Sequence, residues 1–277
     1  MSALPEAEQH ELLFPGGQRL RNHRRRRGIF LIPSMLTVGN LLCGYYAVLA
    51  VILGDVSRLD HAARAIGIAF LFDSMDGFTA RLMGSNSDFG KNLDSLADMV
   101  SFGIAPAALA YAWGIREIPR DSSGAVHLWQ FAWVMCLFFS ICCAWRLARF
   151  NVQGMAAGTG MKYFIGMPTP AAAGVVAATV HFFQDPVVNW HWSVIFFAVV
   201  GALALLMTST IRYPSFKNIN WGRRQPSLAV VVIALLAWII FVYSEQALIV
   251  LAGIYALSGI TLHIVRFLRL RQPAHPA

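Results

Sequence analysis

Long apolar runs broken by short polar segments make up most of the chain. They are Pro33–Leu53, Ala62–Met83, Leu93–Trp113, Leu128–Ala148, Met167–Phe183, Ser193–Ser209, Ser227–Tyr243 and Ala247–Phe267. Each approaches the ~20 residues that a helix needs to cross the hydrocarbon core of a bilayer. The pattern predicts an all-α polytopic membrane protein with about eight transmembrane helices. No repeat of fixed period and no low-complexity tract interrupts it. Residues 1–29 are polar and basic, with Pro15, Gly16, Gly17 and the run Arg24–Arg27, and read as a cytoplasmic arm. The apolar run that follows is too long for the core of a secretion signal, so it reads as an uncleaved first helix. Residues 30–270 then form the transmembrane domain, and 271–277 a short cytoplasmic tail.

Composition points the same way. Of the 277 residues, 57% are hydrophobic and 13% charged, whereas a soluble domain carries about a quarter charged residues. That excludes a soluble globular enzyme, and the apolar content excludes a disordered or collagen-like chain. The 22 Lys and Arg outnumber the 14 Asp and Glu, for a net charge of +8. In a soluble chain such an excess would suggest nucleic acid; here its distribution follows topology. With the N-terminus inside, eighteen of the 22 basic residues fall in inner loops, and only Arg58, Arg64, Arg116 and Arg120 fall outside. Basic loops stay on the cytoplasmic side, so both termini are expected in the cytoplasm and no nucleic-acid partner is expected. Arg24–Arg27 then serve as a topology signal and an anchor to anionic lipid. Trp113, Trp129, Trp133, Trp190 and Trp192 fall near the outer interface as an expected aromatic belt. Cys43, Cys136, Cys142 and Cys143 have no C-x-x-C spacing and read as buried thiols.

Most acidic residues lie in the tail or loops, but Asp73, Asp76, Asp94 and Asp98 lie inside or at the edge of the second and third runs. A single acid in a membrane helix can be interhelical hydrogen-bonding glue; four close together repel one another unless a cation intervenes. Asp73 and Asp76 are spaced i, i+3, and Asp94 and Asp98 i, i+4, so each pair lines one helix face. Gly84, Ser85, Asn86, Ser87, Asp88 and Gly90 supply the turn that folds the two helices together in the cytoplasmic half. Oxygen ligands without His or Cys select Mg2+, Mn2+ or Ca2+ over Zn2+. Two divalent ions would balance the four charges and leave capacity for a phosphate. Gly77 and Ala80 leave room beside the acids for a flat ligand, a placement that also suits helix packing. Arg81, at the cytoplasmic end, can hold phosphate or snorkel.

Written with their spacing, these residues are Asp73-x2-Asp76-Gly77-x2-Ala80-Arg81-x8-Gly90-x3-Asp94-x3-Asp98. This is similar to the signature of the CDP-alcohol phosphotransferases, with every specified position met. The segments IPSMLTVGNLLCG, LDSLADMVSFG, RLARFN at Arg146–Asn151, GMPTPAAA at Gly166–Ala173 and IRYPSFK at Ile211–Lys217 resemble membrane-type phosphatidylserine synthases of bacteria and archaea. The likeness runs from about residue 30 to about residue 220. The resemblance implies a cytoplasm-facing site with two divalent cations, Mg2+ or Mn2+, in the cell's inner (cytoplasmic) membrane. It implies that CDP-diacylglycerol and L-serine are the substrates, that phosphatidylserine and CMP are the products, and that the enzyme is a homodimer. It implies metal ligation by Asp73, Asp76, Asp94 and Asp98, with Asp98 also acting as the catalytic base. Asp73, Gly77, Ala80, Arg81 and Gly90 are implied to meet the CDP moiety.

A serine zwitterion near lipid needs charge partners. Arg146, Arg149, Arg212 and Lys217, at cytoplasmic ends of the runs, are candidates for its carboxylate or for the lipid phosphate, and they also mark topology. Arg146 and Arg149 are i, i+3 and share a face, with Asn151 beside them. Thr37, Asn40 and Gly44 share a face of the first run, where Thr37 and Asn40 can contact nucleotide, the acid cluster or a neighbouring helix. The eight histidines show no ligand spacing. Other acceptors (glycerol 3-phosphate, inositol phosphate, choline) remain within the same chemistry. A divalent-cation transporter is the remote alternative, opposed by acids confined to one side of the membrane and by the lack of inverted halves.

Overall fold

The computed structural model describes residues 16–83, 87–119, 125–156, 163–214 and 244–270. Helix α1 (Gly16–Leu53) carries Arg24–Arg27 near its start and continues through the first apolar run. It turns at Gly54 into α2 (Val56–Met83). Gly54 has φ +74°, and its N–H reaches Ala50 O at 3.4 Å; this left-handed cap suits a residue without Cβ. The two helices pack through buried Ala47, Ala50, Ala62, Ala63 and Ala69. Small side chains let backbones approach, which matters where lipid removes the hydrophobic gain of association.

Helix α3 (Asp88–Asp98) starts at Ser87, whose Oγ accepts the Gly90 N–H at 3.0 Å. It runs into a π-helical turn, Met99–Ile104, and on into α4 (Ala105–Ile115). Pro106 lacks an N–H for the preceding turn, and the Ala105 N–H bonds Val100 O, five residues back. The ladder thereby widens by one residue immediately after Asp98. Ser140 Oγ donates to the Gly103 carbonyl at 3.2 Å, tying the widened turn to α5 (Ala125–Ala156).

A short ribbon follows, which the all-α expectation did not contain. Strands β1 (Tyr163–Ile165) and β2 (Arg212–Pro214) pair antiparallel with Phe164 opposite Tyr213. Between them lie α6 (Thr169–Phe183) and α7 (Trp190–Thr208). Gly166, at φ +79°, leads out of β1; its N–H meets Ile211 O at 2.8 Å, and a Cβ would stand 3.0 Å from Ser209 O. Helix α8 (Ser244–Leu270) completes the described chain.

Seven of the eight expected apolar runs thus lie on helices, and Ser227–Tyr243 falls outside the described residues. Among the described residues, four helical stretches are long and apolar enough to cross a membrane: Ser34–Leu53, Asp88–Ile115, His127–Val152 and Trp190–Thr208. Helix α2 has the length but carries Arg64, Asp73, Asp76 and Arg81 within its apolar run. Thr169–Phe183 and Glu245–Ala256 are apolar but shorter.

One core joins α4 to α7 around Phe139, Met167, Phe197 and Met207; a second joins α1, α2, α4 and α6 around Ile66, Phe102, Leu109 and Val180. Outside them, large apolar side chains such as Ile52, Trp133, Trp145 and Trp192 stand exposed. Helices that are apolar all round belong in lipid. Trp113 departs from the expected belt: it is buried, with its ring 4.9 Å from that of Phe196 in an edge-on contact. Burial beneath α7 outcompetes the interface for this indole, while Trp133, Trp190 and Trp192 stay exposed.

Candidate active site

Three helices build the acid cluster. On α2, the i, i+3 spacing puts Asp73 and Asp76 on one face. Asp94 comes from α3, and ligand oxygens of Asp73, Asp76 and Asp94 all lie within 4.8 Å of one another. Asp98, one turn further along α3, stands beside this triad and interacts electrostatically with all three. Helix α1 supplies the third wall. Thr37 Oγ1 donates to Asp76 Oδ2 and Asn40 Nδ2 to Asp98 Oδ1, each at 3.0 Å. Asp76 and Asp98 are only 5% and 7% exposed, and Asn40 is fully buried.

This donor set fits a hard divalent cation. Like charges this close do not coexist ionised without a compensating positive charge. Among the described residues, Asp76, Asp94 and Asp98 form no salt bridge. Asp94 Oδ1 is buried with no hydrogen-bond partner, an arrangement costly for a carboxylate facing only protein. Three carboxylate oxygens at this separation suit one oxygen-seeking ion.

Around the cluster, the expected residues separate. Gly77 offers its backbone N–H to Asp76. Gly90 sits in the first turn of α3, tied to Ser87. Ala80 and Arg81 occupy the end of α2, and their side chains lie outside the described residues, as does Lys217. Arg212 lies on β2, with its side chain likewise outside. Arg146 and Arg149 part company despite their shared spacing. Arg146 turns inward: it is 8% exposed, donates to Thr169 Oγ1 at 3.1 Å and interacts electrostatically with Asp98. Its Nε is buried without a partner. Arg149 instead donates to the Thr208 carbonyl at 3.2 Å, beside Gly166. Asn151 Nδ2 donates to Ser95 Oγ at 2.8 Å, tying α5 to the acid-bearing helix.

Three participants had no assigned role in the sequence reading. Ser101 Oγ donates to the Asn40 carbonyl at 2.9 Å; its cue was a place three residues past Asp98. Thr169 starts α6 and holds Arg146, within the GMPTPAAA segment. His181, on α6, pairs with Asp60 at 2.5 Å, and Asp60 pairs with Arg64 at 2.8 Å, at the opposite end of α2 from the acids.

Comparison with known proteins adds what geometry alone does not. The CDP-diacylglycerol–serine O-phosphatidyltransferase of Helicobacter pylori (strain ATCC 700392 / 26695) is 30% identical over 239 residues, covering 84% of this chain and 90% of that protein. The protein of the same name from Bacillus subtilis (strain 168) is 34% identical over 200 residues, 69% of this chain and 97% of the relative. That from Methanocaldococcus jannaschii is 30% identical over 236 residues, 85% and 98% respectively. The family model for CDP-alcohol phosphatidyltransferase matches residues 30–209, a span that reaches from α1 to the end of α7 and contains the whole acid cluster. On that breadth of match, the chain belongs to the CDP-alcohol phosphatidyltransferase family.

Proposed function

We propose that this protein is a transferase that moves the phosphatidyl group of CDP-diacylglycerol to the hydroxyl of L-serine, giving phosphatidylserine and CMP. The observation that carries the reading is the convergence of Asp73, Asp76 and Asp94, with Asp98 beside them, in a family member whose relatives bear the serine transferase name. The exposed apolar surface supports a multi-pass membrane protein, which in this reading lies in the cytoplasmic membrane. The distribution of basic residues supports about eight spans, both termini inside and a site opening to the cytoplasm. In this reading residues 1–29 are a basic arm, 30–270 the catalytic domain and 271–277 a tail, and the enzyme works as a homodimer.

Asp73, Asp76, Asp94 and Asp98 would hold two divalent cations, Mg2+ or Mn2+. Such ions neutralise pyrophosphate oxygens and stabilise charge on the leaving CMP. In this reading Asp73, Gly77, Ala80, Arg81 and Gly90 would meet the CDP moiety. Asp98 takes the proton of the serine hydroxyl as its oxygen forms a bond to the phosphatidyl phosphorus. The bond from that phosphorus to the bridging oxygen breaks, and CMP departs with the electron pair. The nearby hydroxyls of Ser74 and Ser95 donate to the carbonyls of Phe70 and Lys91, which favours direct in-line transfer over a covalent phosphatidyl-enzyme. Arg146, buried with an unpartnered Nε and interacting electrostatically with Asp98, is better placed than Arg149 to meet the serine carboxylate.

The test is CMP release by the purified protein in detergent, given CDP-diacylglycerol and Mg2+ or Mn2+. Serine, glycerol 3-phosphate, inositol phosphate and choline are offered separately. Serine-dependent release that disappears in Asp98→Asn supports the reading; release with another acceptor alone replaces serine and keeps the chemistry. No release with any acceptor from a folded, metal-binding protein refutes it.

A further inference from the structure

Thr37 and Asn40 stand one turn apart on α1 and donate to carboxylates of two different helices, Asp76 on α2 and Asp98 on α3. Asn40 is gripped twice. Its amide reaches Asp98, and its backbone carbonyl accepts from Ser101 Oγ in the π-helical turn at 2.9 Å. Asp98 and Ser101 are three residues apart at the junction of α3 and that turn, so one stretch of backbone holds Asn40 from two points. The grip depends on Gly44: a Cβ there would stand 2.7 Å from Ser101 Cα.

The amide itself shows what this grip favours. With Nδ2 turned to Asp98, Asn40 Oδ1 is left buried and unpartnered. Packing alone does not account for such an arrangement, because an unpaired buried carbonyl oxygen is destabilising and a leucine would fill similar space without one. The orientation is set by the carboxylate.

We propose that Asn40, held by Ser101, is a positioning residue for Asp98. It fixes the carboxylate so that one oxygen takes the amide N–H and the other remains available to metal and acceptor. The inference rests on the reading of Asp98 as metal ligand and base. Groups that orient a metal's ligands typically change metal affinity or activity by about 10–100-fold when removed.

The test measures Mn2+ binding to the full-length protein in detergent by electron paramagnetic resonance, with kcat, KM and thermal unfolding alongside. Asn40→Leu is expected to fold as stably as wild type. It should weaken Mn2+ binding or lower kcat by about 10–100-fold, with KM for CDP-diacylglycerol little changed. Adding Asn40→Leu to Asp98→Asn should have no further effect on Mn2+ binding. Should Asn40→Leu fail to fold, Asn40→Ser is measured in the same way, alone and with Asp98→Asn. Mn2+ affinity and kcat both within twofold of wild type overturn the inference, as does an equal loss of affinity with and without Asp98. Loss of affinity in Asp98→Asn but no effect of either Asn40 variant overturns the positioning role alone. Unchanged affinity in Asp98→Asn overturns the reading beneath it as well.

Discussion

Replacing Gly44 with alanine should damage the site through its packing against Ser101. The new Cβ would stand 2.7 Å from Ser101 Cα, against at least 3.4 Å for ordinary contact, so the π-helical turn or α1 must retreat by about 0.7 Å. The obstacle is the Ser101 backbone as well as its side chain, so rotating the hydroxyl away would not relieve it. The Ser101–Asn40 bond at 2.9 Å would then lengthen to about 3.6 Å, outside hydrogen-bonding range, and the Asn40–Asp98 bond at 3.0 Å would follow. Overpacking of this kind costs about 1–3 kcal/mol of stability. Misplacing a reacting group by about 1 Å costs on the order of 100-fold in rate. CMP release and thermal unfolding of Gly44→Ala in detergent check both numbers. Trimming Ser101 to glycine in the same chain should rescue little, because the 2.7 Å contact with Cα remains and the hydrogen bond from Ser101 Oγ to the Asn40 carbonyl is lost. Wild-type turnover and stability in Gly44→Ala, or full rescue by Ser101→Gly, would refute the reasoning.

Asp94→Asn should abolish CMP release and weaken Mn2+ binding, and chelation of wild type should do the same reversibly; retention of activity after exhaustive chelation would exclude a metal at Asp73, Asp76 and Asp94. Arg146→Met should raise KM for serine far more than KM for CDP-diacylglycerol, and Arg146→Lys should fail to restore it because the guanidinium fork is lost; equal effects on both substrates would place Arg146 elsewhere in the mechanism. His181→Leu should lower stability by about 1.5–3 kcal/mol by leaving Asp60 without its buried partner. Its kcat should be unaffected, because Asp60 lies thirteen residues, about 20 Å, along α2 from Asp73; a large fall in kcat at unchanged stability would show coupling between the two ends.

Some structure was not legible because it depends on which neighbour a side chain meets. Arg146 and Arg149 share a helix face, yet one turns to Thr169 and the other to the Thr208 carbonyl. Spacing specifies a face, whereas a long flexible side chain is directed by the acceptors that other helices bring near it. Trp113 is buried for the same reason: Phe196 of α7 covers it. The π-helical turn carries no periodicity of its own, and the ribbon joins residues some fifty positions apart through only three residues on each side.

The apolar runs determined the helices by themselves, because a bilayer leaves the backbone of a spanning segment no water to bond and few alternatives to a helix. The acids were equally legible: a carboxylate in such a run needs a compensating charge, and i, i+3 or i, i+4 spacing puts each pair on one face. Only the tertiary structure decided which pairs meet and how they are held. It brings Asp73, Asp76 and Asp94 within 4.8 Å and sets Asp98 beside them under the amide of Asn40. It also turns the Thr37 hydroxyl to Asp76. Helix periodicity repeats identically along every span, so it specifies faces; contact between faces depends on loops, small residues and close approaches such as Gly44 to Ser101, which exist only once the helices are packed.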